Sequence, residues 1–204
     1  MWALIEDNTI TKIINNPKAM VIGDTQYSRN IFSFRWSNAE REAIGLYEIV
    51  FNNTNKKDEA YYINTNQSFA FADGVVTASF GSATAKAHAD ANATDSDGND
   101  LDPVVVIPGL KTNKIKIVKA QAATILQETD WYIVRKADAD TAIPSAITTF
   151  RAAVRTKAAA METLITNASN TPAIETLYIY VNTADEGDPV VMERPLGEFP
   201  VLGS

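Results

Sequence analysis

His88 is the only histidine in the chain, and a lone imidazole narrows the available chemistry before any fold is considered. A nucleophile relay or a metal centre needs that histidine beside a nucleophile or further ligands. Its neighbours in AKAHADA are alanines and one aspartate, so an exposed histidine in a polar segment is expected. The chain has no cysteine, which excludes disulfides, thiolate catalysis and cysteine-ligated zinc. Asp95, Asp97 and Asn99 in ATDSDGND alternate as the first ligands of a calcium loop do, because hard oxygens at every second residue can converge on one cation. Gly98, however, precedes Asn99 where such a loop needs its glycine afterwards, and Val106 stands where the closing bidentate glutamate belongs. A solvated turn over residues 95–102 is therefore expected, with weak calcium binding as the alternative. Carboxylates for sugar hydrolysis are plentiful, but position singles out no pair, and no glycine cluster forms a phosphate cradle. No catalytic residue, metal ligand set or cofactor is assigned.

Recognition chemistry is better represented. Asp130, Trp131 and Tyr132 are contiguous, and Arg151 and Arg155 stand four residues apart. Two large aromatics offer broad apolar area with a polar tip, and guanidinium groups receive carboxylates in a forked geometry. The aromatics either pack within the chain or anchor a partner. The arginines either pair with Asp130 within the chain or take carboxylates from a neighbour. In the Pro- and Gly-containing tail, Met192, Leu196, Phe199 and Val201 are apolar points suited to lying across a neighbour. These residues together are the partner-binding candidates.

The elements that must position them follow from periodicity. WALIEDNTITKII reads as strands at about 2–6 and 9–15 around an Asp7-Asn8 turn. Ser37 or Asn38 can cap a short helix over 38–44, with Glu40 and Glu42 in its first turn and Gly45 as its stop, before a strand through Tyr47, Ile49 and Phe51. Phe69 and Phe71, then Val76, Ala78 and Phe80, keep a two-residue period around Asp73-Gly74, a second hairpin. Residues 81–109 are poor in apolar bulk and read as a linker or inserted loop. Ile115, Val118, Ala122, Ile125 and Leu126 form a helical stripe ending near Trp131 and Tyr132. After a loop of about thirteen residues, Ile147, Phe150, Val154, Ala158, Met161 and Ile165 form a second. Two such stripes need each other, since a lone helix is marginal in water. TLYIYVN at 176–182 reads as a closing strand.

The fold class is thus α+β: a small N-terminal antiparallel β domain (1–80), a linker (81–109), an α-hairpin with closing strand (110–182) and an extended C-terminal arm (183–204). A formal net charge of −7 over 204 residues speaks against nucleic-acid or anionic-membrane partners, which select clustered basic faces. No run approaches the length of a membrane span, and the start MWALIEDNTI lacks the basic lead of a secretion signal. Expected partners exclude nucleic acid and membrane.

LQETDWYIVRKADADTAIPSAITTFRAAVRTKAAAMETLI, residues 126–165, resembles the C-terminal segment of bacteriophage tail assembly chaperones and related tail-fibre proteins. The matching residues are Leu126, Thr129, Asp130, Trp131, Phe150, Arg151 and Arg155. MWALIEDNTITKIINNPKAMVIGDTQYSRNIF and SNAEREAIGLYEIV are similar to the starts of small proteins encoded near tail genes of marine phages. Together these stretches cover about half the chain. The resemblance implies a non-enzymatic tail structural component joining fibre or baseplate proteins, in a homo- or hetero-oligomer with other phage tail proteins. Its place would be the virion tail, with host cytoplasm during assembly. The alternative it implies is a tail-fibre assembly chaperone that leaves the finished particle. A small carbohydrate- or wall-degrading enzyme is the reading from another class, and no motif supports it.

Overall fold

Asp7 and Asn8 both adopt positive φ, 49° and 60°, a left-handed pair that these two residue types tolerate. They turn β1 (Trp2–Glu6) back onto β2 (Thr9–Ile14) in antiparallel register. In this computed structural model, which describes residues 1–203, the chain divides into two compact units, Met1–Thr84 and the residues from Ala85 onward.

In the first unit a hairpin of β3 (Met20–Ile22) and β4 (Thr25–Tyr27) precedes a 3-10 turn at Arg29–Phe32. α1 (Asn38–Glu42) starts at a reciprocal cap. The Ser37 hydroxyl accepts from the Glu40 N–H at 3.2 Å, and the Glu40 carboxylate accepts from the Ser37 N–H at 2.7 Å. Gly45 follows at φ 78°, where an added Cβ would stand 2.4 Å from the Ile5 carbonyl oxygen. Only glycine therefore lets β5 (Leu46–Asn52) lie down beside β1. The two-residue strand β6 (Tyr62–Ile63) comes next, then the hairpin of β7 (Gln67–Ala72) and β8 (Val75–Phe80), and the short β9 (Thr84–Ala85).

The main sheet runs β2-β1-β5-β8-β7. It is mixed rather than wholly antiparallel as expected, because β5 and β8 pair in parallel. The alternation of β7 and β8 reports their own hairpin, but it cannot report which of the two lies next to β5. The outer strands β2 and β7 approach each other, so the sheet curls around Ala3, Ile5, Ile49, Val76 and Ala78. A second cluster of Ile14, Ile31 and Leu46 carries Trp2, Phe32 and Trp36 against it.

The second unit begins with residues expected as a linker or inserted loop, and backbone bonds tie them to the rest of that unit. β10 (Ala91–Asn92) pairs with β11 (Val106–Ile107). The Leu110 N–H donates to the Ala87 carbonyl at 2.8 Å, and the Thr171 hydroxyl donates to the Lys86 carbonyl at 2.9 Å. His88 is half-buried rather than exposed. Its Nε2 lies 3.0 Å from the Ala168 carbonyl and must carry the proton, since a carbonyl only accepts. Asp90 accepts from the Gly109 N–H at 2.7 Å, and that bond holds its carboxyl below the usual aspartate range, with help from Thr112. Short-range composition showed only polarity here; the backbone pairings that consume it are long-range.

α2 (Leu110–Gln127) and α4 (Ser145–Asn167) form the expected helix pair, burying Val118 and Ala122 against Phe150, Val154, Ala158, Met161 and Ile165. Between them, Trp131 and Tyr132, expected at the end of the first helix, and residues 133–139, expected as a loop, belong to a separate helix, α3 (Asp130–Ala139). The expected closing strand at 176–182 begins instead as the end of a helix: α5 (Thr171–Tyr178) is capped by Asn170, whose side chain accepts from the Ala173 N–H at 2.9 Å, with Pro172 in its first turn. Only Val181–Asn182 is strand (β12), and it pairs with β13 (Met192–Glu193). The C-terminal residues are consequently not a free arm. Leu196 is buried in the helical core, its N–H donating to the Leu177 carbonyl at 2.9 Å.

Val154→Asp is expected to cost about 3–5 kcal/mol by burying an unpaired charge, and Leu196→Ala about 2–5 kcal/mol, both read by urea denaturation. The lowered carboxyl of Asp90 contributes stability that is present above the unfolded aspartate value of about 3.9 and is lost as pH falls through the folded value. Asp90→Asn should therefore flatten the acid limb of a plot of melting temperature against pH.

Candidate functional site

Thr129 interrupts what would otherwise be one long helix. Its backbone, at φ −114° and ψ 6°, leaves helical geometry between α2 and α3, and a buried arginine holds the break. Arg151 of α4 donates through Nη1 to the Leu126 carbonyl and to the Thr129 hydroxyl, both at 2.7 Å. Its Nη2 meets Asp130 Oδ1 at 2.8 Å. The Thr129 hydroxyl in turn donates to the Leu126 carbonyl at 3.0 Å. One guanidinium thus answers one of the last carbonyl groups of α2, the side chain at the break and the acidic first residue of α3, where a carboxylate also suits the helix dipole. Of the two sequence readings for this arginine, the structure shows the intrachain pair with Asp130.

That clamp sets the direction of α3, which has no buried residue. Trp131 is 51% exposed, and Ile133 and Val134 are exposed beside it. The Trp131 and Tyr132 rings lie 3.9 Å apart between centroids, tilted by 32°. The Arg135 guanidinium stands 4.7 Å from the Trp131 ring and 5.4 Å from that of Tyr132, so its charge faces aromatic quadrupoles. Arg135 was not among the candidates; its place four residues after Trp131 is the signal that could have found it.

The other candidates divide. Arg155, one turn beyond Arg151, is exposed and forms no ion pair among the described residues. It does not join the clamp. Leu196 is buried within the chain in the α2–α4 core, which corrects its assignment to a partner surface, whereas Phe199 packs against that core only in part and lines a concavity with Ile117, Thr124 and Ile125. Arg194 holds this fold-back, meeting Glu198 through Nε and Nη2 at 2.7 Å each. Met192 and Val201 remain exposed.

The Asp95 carboxylate accepts from the N–H groups of Asp97 and Asn99 at 2.9 Å each. The Asn99 N–H contributes most to holding that carboxyl below the usual range. The loop thus turns on itself, and among the described residues no group of three His, Asp or Glu side chains is placed to hold a metal. Nor, among the described residues, is any helix long and apolar enough to cross a membrane. No family model, curated protein or solved structure matches the chain.

Removing the clamp takes away the charged donor shared by the Leu126 carbonyl, the Thr129 hydroxyl and the Asp130 carboxylate, leaving the carbonyl only its bonds from Thr129. Arg151→Met should therefore destabilise the chain by about 1–3 kcal/mol, whereas Arg155→Met should stay within about 0.5 kcal/mol of the parent. Chemical denaturation of the two variants side by side checks the difference.

Proposed function

We propose that this chain is a non-enzymatic component of a bacteriophage tail that joins fibre or baseplate proteins, with the exposed face of α3 as its docking element. The observation that carries the docking role is the Trp131–Tyr132–Arg135 stack, pre-formed in the chain and mounted on a helix whose direction a buried arginine sets. Binding energy at protein interfaces concentrates on tryptophan, tyrosine and arginine, and a pre-formed stack loses little side-chain freedom when it is covered. Ile133 and Val134 extend the apolar area. The tail setting is supported by the resemblance of residues 126–165, whose matching residues Thr129, Asp130 and Arg151 are those of the clamp and whose Trp131 is the head of the stack. The partners are other tail proteins in a homo- or hetero-oligomer, met in the host cytoplasm during assembly and retained in the virion.

Mass spectrometry of purified virions is expected to find this chain in fixed ratio to other tail proteins. Its presence in lysate alone would favour a fibre-assembly chaperone that is later released. Trp131→Ala should weaken incorporation by about 2 kcal/mol or more in partner affinity, some thirtyfold. Because the ring is half-exposed, the melting temperature of the isolated chain should change little.

A further inference from the structure

Phe34 is 94% exposed, the most exposed large apolar side chain among the described residues, yet the loop that carries it is tightly held. On one side Phe32 meets Trp2 edge-on with centroids 5.7 Å apart; on the other Trp36 meets Tyr27 at 6.0 Å. Arg41 is buried and donates through Nε to the Ile31 carbonyl at 2.9 Å and through Nη2 to the Ser33 carbonyl at 2.8 Å. Its guanidinium also lies 4.8 Å from the Trp2 ring. Phe32 and Trp36 are thus drawn inward, and Phe34 between them is presented to solvent on a fixed backbone. Holding the backbone beforehand lowers the cost of binding through the side chain it carries.

The surroundings of Phe34 specify a charge. A concavity of about 390 Å³ beside the loop is lined by Pro17, Arg29, Asn30, Phe32 and Ser33, with no carboxylate. Arg29 and Arg35 are exposed and form no ion pair among the described residues. In a chain of net charge −7 this is a local excess of cations around an aromatic, and it selects an acidic segment with an apolar neighbour. Such a segment exists on the same molecule. The turn joining β12 to β13 carries Asp185, Glu186 and Asp188, none in an ion pair among the described residues, followed by Val190 at 70% exposure.

We propose that the Phe34 loop binds the Asp185–Val190 turn of another copy of this chain, with Arg29 and Arg35 receiving the carboxylates. The contact is heterologous, so a bound pair of copies still has one free loop and one free turn, and a chain or ring of copies can grow. It uses none of the residues of α3.

Sedimentation velocity of the full chain over a concentration series tests this. The wild type should self-associate, less so as salt rises, and Phe34→Ala should weaken association about tenfold or more with an unchanged circular dichroism spectrum. A chain with both Arg29→Glu and Arg35→Glu, and another with both Asp185→Lys and Glu186→Lys, should each be monomeric alone. Mixed, they should associate again, since each reversed surface then meets its complement. The proposal is overturned if the wild type is monomeric throughout, if Phe34→Ala associates like the parent, or if the mixture fails to restore association. Phe34-dependent binding to phosphatidylglycerol vesicles without self-association would equally overturn it, in favour of a lipid surface.

Discussion

A guanidinium group removed from water has to find acceptors for its N–H groups, and few neighbours in a small fold can supply several at once. Backbone carbonyls at the ends of helices and in turns are the readiest source, because their own helical partners are missing. Arg151 and Arg41 both draw on carbonyls in this way, one at the α2–α3 break and one along the 31–33 loop, although the Arg151 Nε is left buried without a partner. Each arginine therefore constrains a backbone path. Where the chain leaves a regular element, it does so in a direction that brings carbonyl acceptors to the buried charge.

What these two paths display is alike in kind. One carries Trp131, Tyr132 and Arg135 outward on α3, and the other carries Phe34 outward between two inward-packed aromatics. Exposed aromatics on floppy segments would lose much of their binding energy to ordering; here the ordering is already done by the fold. The C-terminal residues behave oppositely. Leu196 is buried in the core of the α2–α4 pair, so a residue that looked available for a neighbour is consumed within the chain.

Much of the architecture was legible in local pattern. The Asp7-Asn8 and Asp73-Gly74 turns, the Ser37 cap and the stripe from Ile147 to Ile165 each depend on residues a few positions apart, and each appears where periodicity and turn chemistry placed it. α3 was not legible as a separate helix, because its apolar residues face solvent and no core stripe marks it. α5 was missed because Leu177, Ile179 and Val181 alternate like a strand, while the cap at Asn170 and the burial of Ile174 hold the preceding residues in a helix. For the site, residue types pointed to Trp131, Tyr132 and Arg151, but not to their different duties.

The sequence by itself determined the α+β class, the two helices that need each other and the absence of thiol chemistry, since these follow from composition and from spacings shorter than a few turns. Only the tertiary structure decided that β5 lies parallel to β8, that Arg151 rather than Arg155 takes Asp130, and that Leu196 returns to its own core. The physical reason is common to all three. Each is a choice among several chemically adequate partners far apart in the chain, and the choice depends on which backbone geometry brings one of them within hydrogen-bonding or van der Waals reach.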